Sequence, residues 1–255
     1  MTDAIDPVKR ASFDGMAARY DAARPSYPSA VVDDVLARSG AKRALEVGAG
    51  TGKATVLFGQ SGLDIVALEP GGQLAALLRE RVRGMRVEVV ESMFEACDLT
   101  GFDLVYAATA FHWVEPSVRY VRAAEALRPG GALALIMNEK APMDPTTRDD
   151  FNAAYAKHFG WPQWNPQYLE RTEASWVDEI NASGRFGPVH VGRFPWSATY
   201  TTDEFVALLD TYSDHVVQPD DKRLPLYDDI RAAIDRRGGS VEIPYLTFEF
   251  FALRL

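Results

Sequence analysis

Cysteine is almost absent from this sequence of 255 residues, which contains only Cys97. One thiol cannot form a disulfide within the chain, and no Cys and His residues stand at the spacings typical of metal sites. We therefore interpret Cys97 as a reduced structural thiol and expect no metal cofactor. The longest strongly apolar run, Ala132 to Met137, is far too short to cross a bilayer. No signal-peptide pattern follows Met1, so we expect a cytoplasmic protein without a membrane partner.

Basic residues are also fewer than acidic residues in this sequence. Lys and Arg total 27 against 36 Asp and Glu, which gives a formal net charge of -9. Binding to nucleic-acid phosphates depends on clustered basic side chains, so this balance disfavours a nucleic-acid partner. The apolar fraction of 47% and the charged fraction of 25% are those of an ordinary globular protein. A chain of this length can bury a core that needs neither disulfide nor metal.

What the sequence does contain is an alternation of strand and helix patterns. Two helices are predicted first, over 7–20 and from Ser29 to Gly40, because the intervening Pro25 and Pro28 forbid a continuous helix. Buried strands are predicted at five later places: Ala44–Val47, Asp64–Leu68, Arg86–Val90, Phe102–Ala107 and Ala132–Met137. Helical patterns separate most of them, and such βα units predict a parallel sheet with helices on both faces.

The alternation stops between about positions 138 and 184. That stretch is rich in prolines and aromatic residues, and it predicts irregular helices inserted into the core. A strand pattern over Pro188–Trp196, helices over Thr202–Tyr212 and Leu226–Arg237, and a β-rich run over Glu242–Leu253 follow. No internal repeat or flexible linker is visible.

The most informative segment is Glu46-Val-Gly-Ala-Gly-Thr-Gly52, between a predicted strand and a predicted helix. Glycines let the backbone turn tightly and let a ligand approach main-chain atoms. A Walker A loop does not fit, because Val47 and Ala54 occupy its first glycine and its Ser/Thr position. A dinucleotide fingerprint would need glycine where Lys53 stands. What remains is an acid followed by three glycines at alternate positions.

This segment resembles motif I of class I S-adenosylmethionine-dependent methyltransferases. The family's second hallmark is an acidic residue that ends the second strand, and Glu69 stands there, 21 positions after Gly48. A carboxylate at that place can accept hydrogen bonds from both ribose hydroxyls. The resemblance implies a Rossmann-like, doubly wound α/β sheet of seven strands, mostly parallel with the last strand antiparallel, and a helical cap. It also implies S-adenosylmethionine as methyl donor, S-adenosylhomocysteine as product, and no metal.

Other segments extend the resemblance. Ser92–Glu95 is similar to the family's adenine-contacting segment, although Met93 replaces an acid found in many members. Phe102–Trp113 is similar to motif IV, and Leu127–Gly131 to the turn after it. Residues 13–28 are similar to a lid of the subgroup that includes trans-aconitate methyltransferases. The resemblance implies the following donor-binding residues: Tyr20, Arg24, Glu46, Gly48, Ala49, Gly50, Gly52, Glu69, Pro70, Met93, Phe94 and Ala108.

This interpretation divides the chain into four parts. They are an N-terminal helical lid (1–40), a cofactor-binding Rossmann-like core (41–138), a helical insertion that caps the substrate (139–186), and the C-terminal part of the core sheet with cap helices (187–255). Within the lid, Arg24 either pairs with the carboxylate of the donor or only braces the turn up to Pro28.

Methyl transfer from a sulfonium is an in-line displacement, so the enzyme mainly aligns the reactants and excludes water. A general base matters only when the acceptor must lose a proton, and His112 is the candidate base or else a packing residue. Candidate acceptor contacts are His112, Trp113, Trp164, Tyr212 and His215. Four aromatic residues of the insertion either wall a pocket or form its own small core: Trp161, Trp164, Tyr168 and Trp176. Basic residues that an acidic acceptor could use, or that solvent covers, are Lys140, Arg148, Arg171 and Arg193.

The sequence thus predicts methyl transfer to a small-molecule acceptor, with oxygen favoured as the methylated atom. Two alternatives stay open. A nicotinamide-dependent oxidoreductase would need glycine in place of Lys53 and a site for hydride transfer. A binding protein that keeps the donor pocket without catalysis would have a blocked acceptor cavity.

Overall fold

The computed structural model describes residues 21, 23–164 and 167–255. The helix predicted over 7–20 lies outside the described residues, and so does the predicted donor contact Tyr20. Most of the predicted lid therefore stays a prediction.

Seven strands and nine helices form in the described part of the chain. The strands are β1 (Arg43–Val47), β2 (Asp64–Leu68), β3 (Val87–Val90), β4 (Phe102–Ala108), β5 (Leu127–Lys140), β6 (His190–Thr201) and β7 (Ser240–Leu253). The helices are α1 (Ser29–Ser39), α2 (Lys53–Gly59), α3 (Gly72–Arg81), α4 (Arg119–Ala126), α5 (Pro145–His158), α6 (Tyr168–Ala182), α7 (Thr202–Leu209), α8 (Ser213–Val216) and α9 (Asp220–Asp235). None of these helices is both long and apolar enough to span a bilayer.

All seven strands join one sheet in the order β3-β2-β1-β4-β5-β7-β6. Strands β1 to β5 pair in parallel, whereas β7 pairs antiparallel with both β5 and β6. The predicted seven-stranded sheet with an antiparallel last strand is therefore confirmed. The strand order reverses between β1 and β4, and open sheets of this kind bind ligands at such a switch point, beyond the carboxyl ends of the strands.

The sheet is apolar on both faces, which is why its strands read as short hydrophobic runs rather than as alternating patterns. Side chains of neighbouring residues in one strand lie on opposite faces of the sheet and belong to different apolar clusters. Leu45 and Val105 lie in the apolar cluster on one face, and Ala44 and Leu104 lie in the cluster on the other. A third cluster lies under α5, α7 and α9, against the amino-terminal half of β7.

Three segments are more regular than the sequence predicts. The stretch expected to form irregular helices contains the 14-residue α5 and the 15-residue α6. Strand β5 runs on to Lys140, because Met137–Lys140 pair with Tyr245–Phe248 of β7. Helix α9 begins at Asp220 and continues through Pro225, whereas the sequence predicts a helix only from Leu226. Tertiary packing overrides the local preference in each case.

Candidate active site

A cavity of about 1590 Å³ opens at the carboxyl ends of β1, β2, β4 and β5. Its walls are the glycine loop after β1, the segments that follow β2, β3 and β4, the end of β5, and side chains around α6 and α8. The cavity lies at the switch point of the sheet. Sites for one small molecule typically measure about 300–1,000 Å³, so this cavity has room for two ligands side by side.

The glycine loop presents bare backbone to the cavity. Gly48, Gly50 and Gly52 have φ values of 68°, 58° and 90°, in the region that favours glycine. A Cβ on Gly48 would lie 2.7 Å from Cβ of Ala110, and one on Gly52 would lie 2.5 Å from Cδ1 of Leu78. A Cβ on Gly50 would meet nothing within 4 Å, although this residue lines the cavity. The loop thus presses against protein at two positions and is open to a ligand at Gly50.

Glu69 follows β2 and connects the glycine loop to the next turn. Its Oε2 accepts a hydrogen bond from the Gly50 N–H at 2.7 Å, and its Oε1 accepts one from the Gly71 N–H at 2.8 Å. The residue is only 5% exposed, yet it lines the cavity. Each carboxylate oxygen can accept more than one hydrogen bond. Glu69 can therefore hold the loop and still accept hydrogen bonds from a ligand.

Glu46, near the end of β1, lies beneath the same loop and is buried. Its Oε2 accepts a hydrogen bond from the Tyr106 hydroxyl at 2.9 Å. Burial, together with the nearby negative charge of Glu69, raises the pKa of Glu46 to about 7. A group that titrates near neutral pH therefore lies between the sheet and the glycine loop.

Apolar side chains continue the cavity wall after β2 and β3. Pro70, Met93 and Phe94 all line it. Met93 is 42% exposed, whereas Phe94 is buried and anchors its short helical turn in the core. These three residues give the cavity an apolar wall beside Glu69, which suits a flat ring.

A backbone kink directs the chain into the cavity after β4. Thr109 has a φ of 52°, which is unusual for a β-branched residue. Its N–H donates to the carbonyl of Ile136 at 2.7 Å, and the Tyr27 hydroxyl donates to its Oγ1 at 3.1 Å. Residues Ala108 to Trp113 consequently line the cavity, except for the buried Phe111.

His112 lines this cavity, and although the residue is exposed to solvent, the cavity walls surround its imidazole. This burial, with the positive charges of Arg119 and Arg24, lowers the pKa of His112 to about 4. At neutral pH the imidazole is uncharged and is a weak base, since good general bases titrate near the working pH.

Arg24 lines the cavity and contacts the segment between α7 and α8. Its Nε donates to Oγ1 of Thr211 at 2.9 Å, and its Nη2 donates to the Thr211 carbonyl at the same distance. The guanidinium carbon lies 4.4 Å from the ring centre of Tyr212. Arg24 therefore connects the N-terminal segment to the C-terminal part of the chain while it faces the cavity.

A second link between the N-terminal segment and the glycine loop involves Asp21, which sequence reasoning missed. Thr51 Oγ1 donates to Oδ1 of Asp21 at 2.6 Å, and Arg81 forms an ion pair with the same carboxylate. Lys53 Nζ lies 3.8 Å from this oxygen. These positive charges and hydrogen bonds lower the pKa of Asp21 despite its partial burial. No local motif surrounds Asp21, so only the fold reveals this contact.

Lys140, at the end of β5, brings a positive charge into the cavity. Its Nζ lies 4.6 Å from the ring centre of Trp164 and 4.3 Å from that of Tyr212, in cation–π geometry. Among the described residues, no carboxylate forms an ion pair with it. Burial lowers the pKa of Lys140 to about 8, and the charge of Asp214 opposes this shift. Burial also raises the pKa of the adjacent Glu139 to about 7.

Of the residues predicted as donor or acceptor contacts, fourteen line this cavity. They are Arg24, Glu46, Gly48, Ala49, Gly50, Glu69, Pro70, Met93, Phe94, Ala108, His112, Trp113, Trp164 and Tyr212. Two others do not line it. Gly52 packs against Leu78, and His215 is fully buried between the hydroxyls of Tyr155 and Tyr227, at 2.9 and 3.2 Å from its ring nitrogens.

The aromatic residues of the insertion have mixed surroundings. Trp164 and Trp176 belong to apolar clusters that extend beyond the insertion, and both also line the cavity. Tyr168 lines the cavity and is largely exposed. Trp161 is exposed and does not line the cavity. Of the four basic residues considered for an acidic acceptor, Lys140 and Arg171 line the cavity.

Comparison with known proteins agrees with this geometry. Residues 45–135, from the glycine-loop strand to most of β5, match the family model described as a methyltransferase domain. The chain is 27% identical over 241 residues to an uncharacterised methyltransferase of Mycobacterium tuberculosis, covering 92% of this chain and 93% of that protein. Together with the fold and the cavity, these similarities support S-adenosylmethionine-dependent methyltransferase activity for this chain.

Solved structures share the architecture. A proposed type II methyltransferase from Anaeromyxobacter dehalogenans has a TM-score of 0.64 at 21% identity, over 91% of this chain and 96% of that chain. Phosphoethanolamine N-methyltransferase 2 of Haemonchus contortus was solved with phosphomonomethylethanolamine and S-adenosylhomocysteine. It has a TM-score of 0.54 at 17% identity, and the match covers 98% of this chain and 59% of that chain. At these identities the likeness shows the fold.

Proposed function

We propose that this enzyme transfers the methyl group of S-adenosylmethionine to an oxygen atom of a small, negatively charged acceptor. One observation supports the proposal most directly. A single cavity contains both the glycine loop with Glu69 and the ammonium group of Lys140 between two aromatic rings. A donor and an anionic acceptor can therefore meet in one cavity.

The residues around the glycine loop fit an adenosyl group. Gly50 and its neighbours Gly48 and Ala49 offer backbone without side-chain obstruction, and the Glu69 carboxylate can accept hydrogen bonds from ribose hydroxyls. Glu46 and Gly52 would keep this loop in place from below. Pro70, Met93, Phe94 and Ala108 would form the walls around the donor, and the solved Haemonchus enzyme binds S-adenosylhomocysteine in a fold of this type.

The methionine end of the donor would lie near Arg24, with Tyr20 of the N-terminal lid as a further contact. The guanidinium of Arg24 can pair with a carboxylate while it keeps its hydrogen bonds to Thr211, since it has five N–H donors. The lid (1–40) and the insertion (139–186) would then cover the core (41–138), together with the cap helices of 187–255. Trp164 and Trp176 of the insertion, which line the cavity, support this arrangement.

S-adenosylmethionine supplies an activated methyl group, so the protein's main task is to align the acceptor oxygen and to exclude water. The acceptor oxygen forms a bond to the methyl carbon while the bond from that carbon to sulfur breaks. His112 is a poor base at neutral pH, because its pKa lies at about 4. An acceptor that is already a carboxylate needs no base, so the weak basicity of His112 does not impede its methylation. His112 and Trp113 would then orient the acceptor.

Lys140 is the residue best placed to recognise such an acceptor. With a pKa of about 8 it is mostly charged at neutral pH, and the rings of Trp164 and Tyr212 fix its position. An acceptor carboxylate would supply the ion pair that Lys140 lacks among the described residues. Such a ligand is a free small molecule in the cytoplasm, in keeping with the acidic net charge, which disfavours a nucleic-acid partner.

A turnover screen with isotopically labelled donor tests the proposal. We expect label in small carboxylic acids, as methyl esters that mild alkali hydrolyses, and none in neutral alcohols or amines of similar size. Lys140→Met should raise the acceptor KM at least about tenfold, because a charge-assisted contact contributes about 1.5–3 kcal/mol. The KM of the wild type should also rise as pH passes about 8, since Lys140 then loses its charge while Glu139 is already ionised.

Lys157→Met is the matched control, since Lys157 is an exposed lysine paired with Asp229 and does not line the cavity. It should leave KM unchanged. Alkali-stable products on alcohols or amines, or an unchanged KM in Lys140→Met, would contradict the anionic acceptor.

A further inference from the structure

A carboxylate is buried in an apolar part of β7, away from the methyl-transfer cavity. Glu249 stands between the buried Phe248 and Phe250, and it is 0% exposed. Neither of its side-chain oxygens has a hydrogen-bond donor among the described residues. An isolated buried carboxylate is strongly unfavourable, so it needs a proton, a positive charge or a metal as compensation.

Two further ligand-type side chains face Glu249 from other elements. Asp34 comes from α1 and His190 from the start of β6, and one potential ligand atom from each of the three residues lies within 4.8 Å of the other two. His190 Nε2 lies 3.8 Å from Oδ2 of Asp34. The three residues are far apart in the sequence, which explains why the spacing of Cys and His along the chain predicts no metal site.

The backbone leaves space for this carboxylate. Gly192 of β6 lies directly opposite Glu249 in the antiparallel ladder. A Cβ at Gly192 would lie 2.8 Å from Oε2 of Glu249 and 2.8 Å from the ring of Phe194. Any side chain at this position would push the carboxylate away from Asp34 and His190. Glycine at position 192 thus allows the side chains of Asp34, His190 and Glu249 to lie close together.

We propose that Asp34, His190 and Glu249 bind a divalent transition-metal cation of the zinc type, which links α1 to β6 and β7. One imidazole nitrogen and two carboxylate oxygens form a donor set that suits zinc better than magnesium, which prefers oxygen ligands alone. Zinc bonds of about 2.0–2.2 Å require ligand atoms closer than 4.8 Å, so the side chains rotate slightly on binding. None of the three residues lines the methyl-transfer cavity, so the metal is structural.

Solvent can reach the site and complete the coordination. The side chains of Asp34 and His190 are 31% and 40% exposed. Arg38 competes for one oxygen of Asp34, because its Nε donates to Oδ2 at 2.5 Å, but the second oxygen of that carboxylate remains. The rival occupant is a proton shared between the two carboxyl groups.

Titration calorimetry of the metal-free, full-length protein with zinc chloride and with magnesium chloride tests the site at pH 8. We expect one zinc ion per chain, a higher Tm with zinc, and no comparable effect of magnesium. Glu249→Gln should weaken zinc binding by more than about tenfold, since even outer partners of metal ligands typically contribute that much. Glu242→Gln, an exposed position on the same strand, should bind zinc like the wild type.

A wild-type protein that takes up no zinc would overturn the proposal, and so would unchanged zinc binding in Glu249→Gln. In either case the shared proton would account for the buried carboxylate. His190→Gln provides a second variant if Glu249→Gln does not fold, because His190 is partly exposed and its replacement leaves the apolar core intact. It should also lose more than about tenfold in zinc affinity, and zinc binding equal to that of the wild type would contradict the site.

Discussion

Glu46 illustrates how a single residue of the glycine-loop strand couples stability to pH. It is 1% exposed, and its ordinary pKa of 4.5 rises to about 7 in the folded chain. Between these two values the folded state binds the proton that the unfolded state has released. The contribution of Glu46 to stability therefore falls as pH rises from about 4.5 to about 7, and stays low above pH 7.

Glu46→Gln keeps an acceptor for the Tyr106 hydroxyl and removes the buried charge. We expect it to raise the free energy of unfolding at pH 8 by about 2–3 kcal/mol, since one pKa unit corresponds to about 1.4 kcal/mol. At pH 4.5 the gain should be small. Urea denaturation of the ligand-free protein at both pH values measures this, with the exposed Glu88→Gln as control. If the free energy of unfolding rises equally at both pH values, the buried charge of Glu46 is not the cause of the gain.

Single residues also show how much of the candidate site a sequence can reveal. Gly50 and Glu69 are predictable, because each follows a strand of a recognisable βα unit and lies 19 positions from the other, and the fold brings them into contact. Lys140 and Asp21 contact residues far away in the sequence, and no local pattern marks them. The sequence predicts His215 as an acceptor contact, because it ends a helix whose counterpart in the resembling family faces the acceptor. Its burial between two tyrosines depends on packing that the sequence does not display.

At the scale of elements, β1 to β4 and the helices between them follow directly from the sequence. Their apolar runs are short, buried on both faces and bounded by glycine or proline, so local pattern and tertiary fold agree. The remaining elements depend on partners. Strand β5 is long because β7 pairs with its far end, and α5 is regular because Phe151 and Tyr155 pack against α7 and α9 in the third cluster.

The glycine loop packs closely against the segment after β4, where Gly48 faces Ala110. Gly48→Ala should destabilise the protein by about 2–4 kcal/mol, from left-handed strain of about 1–2 kcal/mol and overlap with the Cβ of Ala110. Combining it with Ala110→Gly removes the overlap and leaves the strain. We therefore expect the double variant to be more stable than Gly48→Ala alone.

A double-mutant cycle by chemical denaturation measures this coupling. Gly62→Ala is the control for strain alone, because Gly62 has a φ of 81° and a Cβ there would meet nothing within 4 Å. If the double variant is less stable than Gly48→Ala, the two segments do not press against each other as the structure indicates.

At the scale of the whole molecule, the cavity gathers residues from nearly every part of the chain. Arg24 comes from the N-terminal segment, Glu69 from the parallel core, Trp164 from the insertion and Tyr212 from the C-terminal part. Ligands that fill the cavity would contact all four parts in the folded state, whereas the unfolded chain does not bring these parts together. Donor binding should therefore stabilise the entire fold, by an amount that its concentration and Kd determine.

At one hundred times its Kd, S-adenosylhomocysteine should stabilise the protein by about 2.7 kcal/mol, which for a chain of this size corresponds to a rise in Tm of about 5–10 °C. Glu69→Ala should lose much of this shift at the same ligand concentration, because two charge-assisted hydrogen bonds to the ribose contribute about 1.5–3 kcal/mol. The exposed Glu88→Ala should keep the full shift, and NADH should produce none. A shift with NADH alone would favour the nicotinamide-dependent alternative, and an undiminished shift in Glu69→Ala would remove that carboxylate from the donor site.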